Sequence, residues 1–324
     1  MSLPSHLPLP NRPPLELSYR QEDARALLAD ERVLAVIGFG GGWVAPDDPR
    51  VVRVALEPLS PAPLEVWRGP GPVRHRREGA LRWSSDDDYL FAAIELAEVD
   101  GDIEQAAHAA YRELLAWVQA RATPHWLRLW NYFDAINLGA GDAERYRRFC
   151  AGRARGMACL RDGSYPAACA IGGHGRSGRL LVYGLAARSP GVRIENPRQL
   201  SAWRYPRQYG PTAPTFARAM RSDAAQLFIS GTAAVVGHAS LHDEDLAAQL
   251  DETFANLDHV VEAAHGRFGE QVLLKAYVRD ARDGAAVAQA IAARVPRAAG
   301  VLILAGDICR RELLVEIDGV QALA

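Results

Sequence analysis

The sequence predicts an α+β protein made of two similar units. Each is a helix–strand–helix–strand–strand series layered on a mixed sheet, and an irregular segment joins them. Three observations predict it. Short β-branched runs bounded by Gly, Pro and Asp alternate with segments whose apolar residues recur every three or four positions. The same order of elements occurs twice along the chain, the mark that a duplication leaves. Between the two occurrences lies a Pro-, Arg- and Tyr-rich stretch too irregular for a core element.

Composition agrees with that class and removes others. The 324 residues suffice for one large domain or two ordinary ones, and 49% hydrophobic with 23% charged is the balance of a globular chain. Lys+Arg 37 against Asp+Glu 39 leaves a formal net charge of −2, which argues against nucleic-acid binding by bulk electrostatics. No apolar run approaches the ~20 residues of a membrane span. The opening MSLPSHLPLPNRPPLELSY carries prolines where a secretory signal needs an apolar stretch. The expectation is a cytosolic, monomeric chain without membrane or nucleic-acid partners.

Residues 1–15 read as a flexible, proline-rich arm. ERVLAVIGFG (31–40) is a β-branched run closed by glycine, hence a strand. VVRVALEPL (51–59) and DYLFAAIELAEV (88–99) read as further strands, separated by loops rich in Pro, Gly and Asp. The period then changes. Ala106, Ala107, Ala110, Leu114, Trp117 and Val118 share one face of a helix over 103–120. An aromatic strand, HWLRLWNYFDAIN, a helix, AERYRRFCAGRARGMACL, and two strands, YPAACAIGG and RLLVYGLAA, complete the first unit.

In the second unit AAQLFISGTAAVVG makes two short strands and DLAAQLDETFANLDHVVEAA a long helix. QVLLKAYVRDA is a strand, DGAAVAQAIAARV a helix, and AAGVLILAG and RRELLVEIDGV are the last two strands. Element order places the run from Leu180 to Tyr183 opposite the run from Leu313 to Glu316, and Asp134 opposite Asp280. The expected division is an N-terminal α+β domain over 1–190, a connecting segment over 191–222 and a C-terminal domain over 223–324.

Most familiar motifs read as ordinary structure. Cys150, Cys159, Cys169 and Cys309 form no CxxC pair and lack zinc spacing, so all four are free thiols, the first three read as small buried hydrophobes. Residues 173–178 fit G-x-G-x-x-G, but a strand pattern comes next where a dinucleotide needs a helix, which makes this a glycine-rich β connection. His238 and His242 stand four apart beside Asp243, Glu244 and Asp245. No third metal ligand can be named, and the acids suit the first turn of a helix starting near Leu246. There is no G-x-S-x-G elbow and no Walker loop. Neither a metal nor a cofactor is expected.

The connecting segment carries more chemistry. Arg198, Arg204, Tyr205, Arg207 and Tyr209 are interleaved with Pro197, Pro206 and Pro211, so a stiff backbone presents them. Arginine grips carboxylates bidentately and tyrosine adds a hydroxyl beside an apolar face, a set suited to a small dianion. The plain alternative is a solvated surface patch. Tyr146 and Arg153, seven apart, share a helix face and either complete an anion pocket or cover a helix surface. In RRELLVEIDGV, alternation sends Leu314, Glu316 and Asp318 to one face and Leu313, Val315 and Ile317 to the other. A Glu held within an apolar strand keeps its proton near neutral pH by desolvation; on a solvent-facing edge it does not.

The segment ISGTAAVVGHASLHDEDLAAQLDETFANLDHVVEAA, with AYVRDA and LLVEIDGV, resembles the RidA/YjgF small-domain family over roughly the last hundred residues. WNYFDAIN, ERYRRFCAGRA, ENPRQLSAWRYPRQYGP and GDICRRELLVEIDGV together resemble the chorismatase family, from about Val33 to Val320. That resemblance implies a RidA-like C-terminal domain and an enzyme that removes the enolpyruvyl group of chorismate as pyruvate, without metal or cofactor. It implies that Glu316 is the proton donor and that Tyr146 and Arg153 are the pair in a Y-R-x-F-C-x-x-R stretch. Tyr205 or Arg207 then supplies a contact from the connecting segment, and Arg204 joins them in the expected carboxylate pocket. Cys309 matches a cysteine of hydroxybenzoate-forming members, and Gly231 a glycine where hydrolytic members carry alanine, leaving room for substrate. Both imply 3-hydroxybenzoate, with 4-hydroxybenzoate beside it in the pigment-linked branch. The alternatives are a hydrolase giving a dihydroxycyclohexadiene carboxylate, a RidA-like imine deaminase and a non-catalytic binder of an aromatic acid.

Overall fold

Alternation along a strand sends its side chains into two different cores, and this layering builds the molecule. The computed structural model describes residues 13–160, 164–175 and 177–323. The chain begins with β1 (Glu16–Arg20), α1 (Ala24–Leu28), β2 (Val33–Phe39), β3 (Val51–Val54), β4 (Glu57–Pro58) and β5 (Leu64–Arg68). The first unit comes next: β6 (Arg74–Glu78), β7 (Leu81–Ser85), β8 (Tyr89–Ala97), α2 (Ile103–Gln119), β9 (His125–Asp134), α3 (Arg145–Gly156), β10 (Ala167–Gly173) and β11 (Arg179–Ala187). The second has β12 (Val192–Ile194), β13 (Ala219–Arg221), β14 (Gln226–Thr232), a small hairpin of β15 (Val235–Val236) and β16 (Ala239–Ser240), and α4 (Leu246–Ala263). It ends with β17 (Val272–Val278), α5 (Gly284–Arg294), β18 (Gly300–Ala305), β19 (Asp307–Ile308) and β20 (Val315–Ala322).

The two large sheets have one design. One runs β19-β10-β9-β11-β8-β7-β6, the other β12-β13-β14-β20-β17-β18-β4, and β1-β5-β2-β3 forms a smaller third sheet. Read from the unit's parallel pair outward, β10-β9-β11-β8-β7-β6 corresponds to β18-β17-β20-β14-β13-β12. In each, only the first pair is parallel. Each large sheet also takes its outermost strand from the opposite half of the chain. β19 pairs with β10, and β4 pairs with β18. The run 51–59, expected as one strand, is therefore divided between two sheets, because β3 stays with β2 while β4 crosses over.

Helices α2 and α3 cover the outer face of the first large sheet, and α4 and α5 that of the second. The inner faces meet in an aromatic core. Trp130 and Tyr132 point inward from β9 while Leu129 and Phe133 point out to the helices. The Tyr132 and Tyr277 hydroxyls meet at 3.0 Å, one from each unit. The strand ladders fix the correspondence between units: Tyr132 stands opposite Leu181, and Tyr277 opposite Glu316. Glu316 thus matches Leu181, two residues from the pairing expected from element order, and Asp134 matches Arg279 rather than Asp280. For Glu316 the shift is even, so both alignments keep the same face; only the ladder distinguishes them.

Several elements carried no clear sequence signal. β1, β5, β6 and β7 are short, and β6 is a wholly exposed, Arg-rich edge strand whose charge discourages edge-to-edge pairing. The connecting segment is not a free linker, since β12 and β13 extend the second large sheet. Residues 1–12 of the expected arm lie outside the described residues. Leu15 is buried, with its backbone N–H and C=O both held by the Gln226 side chain (2.9 and 2.8 Å).

Candidate active site

A cavity of about 390 Å³ lies where β10 of the first large sheet meets β14 and β20 of the second. Its floor is Cys169, Gly231 and Glu316. The α3 helix supplies Tyr146 and Arg153, the connecting segment Tyr205 and Tyr209, and the loop before β20 supplies Cys309 and Arg310.

β20 places the acid. Val315 and Ile317 enter the core beneath α4 and α5, which turns Glu316 and Asp318 toward the first sheet. Glu316 is 5% exposed. Burial pushes its pKa up to about 8, the negative charge of Asp318 adds to the rise, and Arg128 and Arg218 oppose it. The side chain is therefore a carboxylic acid at neutral pH.

The neighbouring strand makes room for it. Between Ile229↔Gly319 and Thr232↔Ile317, β14 advances three residues while β20 advances two, a bulge at Ser230 and Gly231. Ser230 Oγ accepts from Ala168 N (2.8 Å) and donates to Ala217 O (2.5 Å), tying β10 to the second sheet. A Cβ on Gly231 would stand 1.8 Å from Glu316 Oε1 and 3.0 Å from Cys169 Cβ. The space at Gly231 is thus filled by the acid itself, not left for substrate as the family resemblance implied.

Two buried guanidinium groups face the cavity with unused donors. Arg153 is 3% exposed, stacks over Tyr111 and contacts Met157 Sδ; its Nη2 has no hydrogen-bond partner among the described residues. Arg218 donates to Leu200 O (2.8 Å) and to the Tyr205 hydroxyl (2.7 Å), and its Nε is unpartnered among the described residues. Tyr205 accepts that bond, which leaves its own proton to donate. Arg310 lies 4.0 Å from the Tyr209 ring centre and 5.2 Å from that of Tyr205, anchored on His238 O and Ser240 Oγ. Tyr146 stacks on Phe149, and burial raises its hydroxyl well above the usual range, so it is a neutral donor.

The thiols are neutral as well. Burial, then the nearby Glu316, pushes Cys309 up to about 12. Cys169 is buried on the cavity floor and Cys150 behind Tyr146; Cys159, expected inside, is exposed because it lies past the end of α3.

Of the residues the sequence singled out, the structure gathers Glu316, Cys309, Tyr146, Arg153, Tyr205 and Gly231 around one cavity. It does not bring Arg204 or Arg207 there. Both are exposed, and Arg207 pairs with Asp142 across the surface (2.9 and 2.5 Å). The reason is backbone geometry: each lies in a separate 3-10 turn, Ala202–Arg204 and Arg207–Tyr209, in which Ala202 and Tyr209 are the members turned toward the protein. Arg218, Arg310 and Cys169 were missed. Arg218 lies just before a three-residue strand with no periodicity to mark it, and Arg310 lies in a short loop with no periodicity either. The glycine-rich 173–178 run joins β10 to β11, with Asp134 accepting from Ser177 N; Arg176 lies outside the described residues. His238 meets Tyr209 (3.3 Å) and His242 meets Glu252 (3.5 Å), so the two histidines do not converge.

Residues 65–186 match the family described as chorismatase FkbO/Hyg5-like, N-terminal. The chain is 35% identical over 321 residues to a chorismatase of Streptomyces rapamycinicus, covering 92% of this chain and 95% of the relative. It is 37% identical over 290 residues to a 3-hydroxybenzoate synthase of Streptomyces hygroscopicus, covering 83% of each. A crystal structure of a chorismatase at 1.08 Å resolution superposes with a TM-score of 0.86 at 32% identity, covering 96% of this chain and 99% of that one. The extent of these matches, joined to a buried acid among arginines and tyrosines, places this chain in the chorismatase family.

Proposed function

We propose that the chain cleaves chorismate to pyruvate and 3-hydroxybenzoate, with Glu316 as the proton donor. The observation that carries this reading is a carboxyl held in acid form inside a cavity lined by buried guanidinium groups. Chorismate is a cyclic dianion with a ring carboxylate and an enolpyruvyl carboxylate. Breaking its enol ether requires a proton on the methylene carbon, which leaves an oxocarbenium beside the pyruvyl carboxylate. Glu316 delivers that proton, and Arg153 and Arg218 with Tyr146 and Tyr205 hold the carboxylates. Placement matters, since an error of ~1 Å can cost on the order of a hundredfold in rate.

The aromatic branch consumes no water net, so pyruvate and hydroxybenzoate together carry every atom of the substrate, whereas the dihydroxy acid requires one water. The neutral Cys309 thiol on the cavity wall favours the aromatic outcome by occupying space beside the ring that a hydrolytic water would use. The reading includes 4-hydroxybenzoate as a minor product. The four unpaired cysteines suit a reducing cytosol, and no helix among the described residues is long and apolar enough to cross a membrane.

Incubating the purified protein with chorismate and separating the products by chromatography tests this. Pyruvate with hydroxybenzoate in equal amounts supports it. Pyruvate with only the non-aromatic dihydroxy acid moves the chain to the hydrolytic branch. Bound but unconsumed chorismate means a binding protein.

A further inference from the structure

Glu316 sits beside a buried layer of charges that the cleavage step does not touch. Arg128 pairs with Asp318 at 3.1 Å and Lys275 with Glu65 at 2.5 Å, and all four side chains are 4% exposed or less. Two cations and two anions balance inside the protein. An ionised Glu316 would be a third anion with no cation of its own. Asp318 stands two residues along the same face of β20 and gathers the local donors. Its Oδ2 accepts from Trp130 Nε1 and from the Tyr277 hydroxyl, each at 3.0 Å, in addition to the Arg128 contact.

Few other groups face Glu316. Tyr277 opposite it on β17, Cys169 on β10, Tyr146 on α3 and Cys309 on the preceding loop are all kept neutral by burial. Asp318, Arg128 and Arg218 are the charges that reach it. Arg218 is committed through Nη2 to Leu200 and Tyr205, and its Nε, unpartnered among the described residues, is the donor left for the substrate carboxylate. Arg128 is held as an ion pair rather than by aligned hydrogen bonds, so its buried Nη atoms keep unused donors.

We propose that Asp318 is a positioning residue for the reaction: by holding Arg128 on its own carboxylate it denies Glu316 a counter-cation and keeps it as the acid. The inference rests on the reading of Glu316 as proton donor. Its consequence has the same sign as the direct loss of repulsion from the Asp318 charge, and both ease the ionisation of Glu316. Without the Asp318 charge, Arg128 becomes an uncompensated buried cation, and the next carboxyl on that face, Glu316, ionises to meet it.

Asp318→Asn keeps the shape and an acceptor for Trp130 and Tyr277, so it is the variant to test. A general acid works below its pKa and fails above it. The descending limb of the rate should therefore move down by about one pH unit or more, with the rate at pH 8 falling on the order of tenfold and the rate at pH 6 retained. An equal loss at every pH, with the limb unmoved, would mark a merely structural role and overturn the proposal. Infrared spectra of protein labelled with carbonyl-¹³C glutamate, or separately aspartate, give a readout apart from activity. In the parent at pH 7 a protonated-carboxyl band should shift with the glutamate label only, and in Asp318→Asn it should fall by half or more at that pH. A band that tracks the aspartate label instead overturns the proposal, and this arm decides even if the variant does not fold. Glu316→Gln separates the two readings: full activity there removes the donor itself, whereas an inactive Glu316→Gln beside an unshifted Asp318→Asn removes only the role of Asp318.

Discussion

At the scale of single residues, the pKa of Glu316 near 8 makes linked predictions of opposite sign. As a general acid it should hold the rate constant below pH 8 and let it fall as pH rises through that value. A profile without a descending limb there would remove the acid role. Glu316→Gln should lower pyruvate release by at least ~10²-fold, the usual worth of such catalysis. The same change should stabilise the fold. The unfolded chain ionises this group near its ordinary value of 4.5, and the folded chain near 8, so between those values folding must take up a proton. Glutamine removes that burden: the urea midpoint of Glu316→Gln should exceed the parent's at pH 7, with the gap closing below pH 4. Product choice belongs to this scale too. An alanine Cβ at Gly231 would displace the Glu316 carboxyl, and Cys309→Ala would open space for water. The double variant should release pyruvate more slowly and with more of the dihydroxy acid, visible by chromatography; an unchanged product ratio would remove both residues from that choice. Arg153→Ala or Arg218→Ala should weaken substrate binding by about 1.5–3 kcal/mol, measured by titration with a carboxylate analogue.

At the scale of elements, α3 depends on close approach to α2. A Cβ on Gly152 would stand 2.0 Å from Glu104 O, and one on Gly156 2.6 Å from Tyr111 Cβ. These glycines, four apart, let the helices meet backbone to backbone at Gly152 and backbone to side chain at Gly156. Gly152→Ala should destabilise by about 1–3 kcal/mol, the range for overpacking, as read by denaturant titration. Because α3 also carries Tyr146 and Arg153, KM should rise with the loss of stability; a lowered midpoint with unchanged KM would show that the helix shifts without moving the site. The helix itself was legible in the sequence. The glycine contact was not, since nothing in the local pattern says which helix lies opposite. The same limit applies to β14. Its strand character could be read, but the bulge at Ser230 and Gly231 exists only relative to β20.

At the scale of the whole molecule, duplication made two like units, yet only one carries an acid. Where β20 has Glu316, β11 has Leu181 in the aromatic core. The exchanged edge strands β4 and β19 tie the halves together, so the cavity between β10 and β14 depends on both. The Gln226 side chain does similar work at the start of the chain by holding both backbone groups of Leu15. Gln226→Ala leaves two backbone groups unpaired, which should cost on the order of 2 kcal/mol and expose the strand after Leu15 to proteolysis. An unchanged unfolding midpoint would mean that this contact contributes nothing.

The sequence by itself determined the features that backbone period sets: which runs are helices and strands, their repeated order, and the face of β20 from which Glu316 projects. These are local properties, fixed by 3.6 residues per helical turn and two per strand repeat. The family resemblance named six residues that line the cavity but could not separate Tyr205 from its exposed neighbours Arg204 and Arg207. Only the tertiary structure decided that, and only it brought Arg218 and Arg310 to the cavity, placed Asp318 on Arg128 and set Glu316 in the space left by Gly231. Cys169, Gly231 and Glu316 come from three strands far apart in the chain. Their meeting depends on how sheets pair and pack, and no period along one strand records which strand will lie across from it.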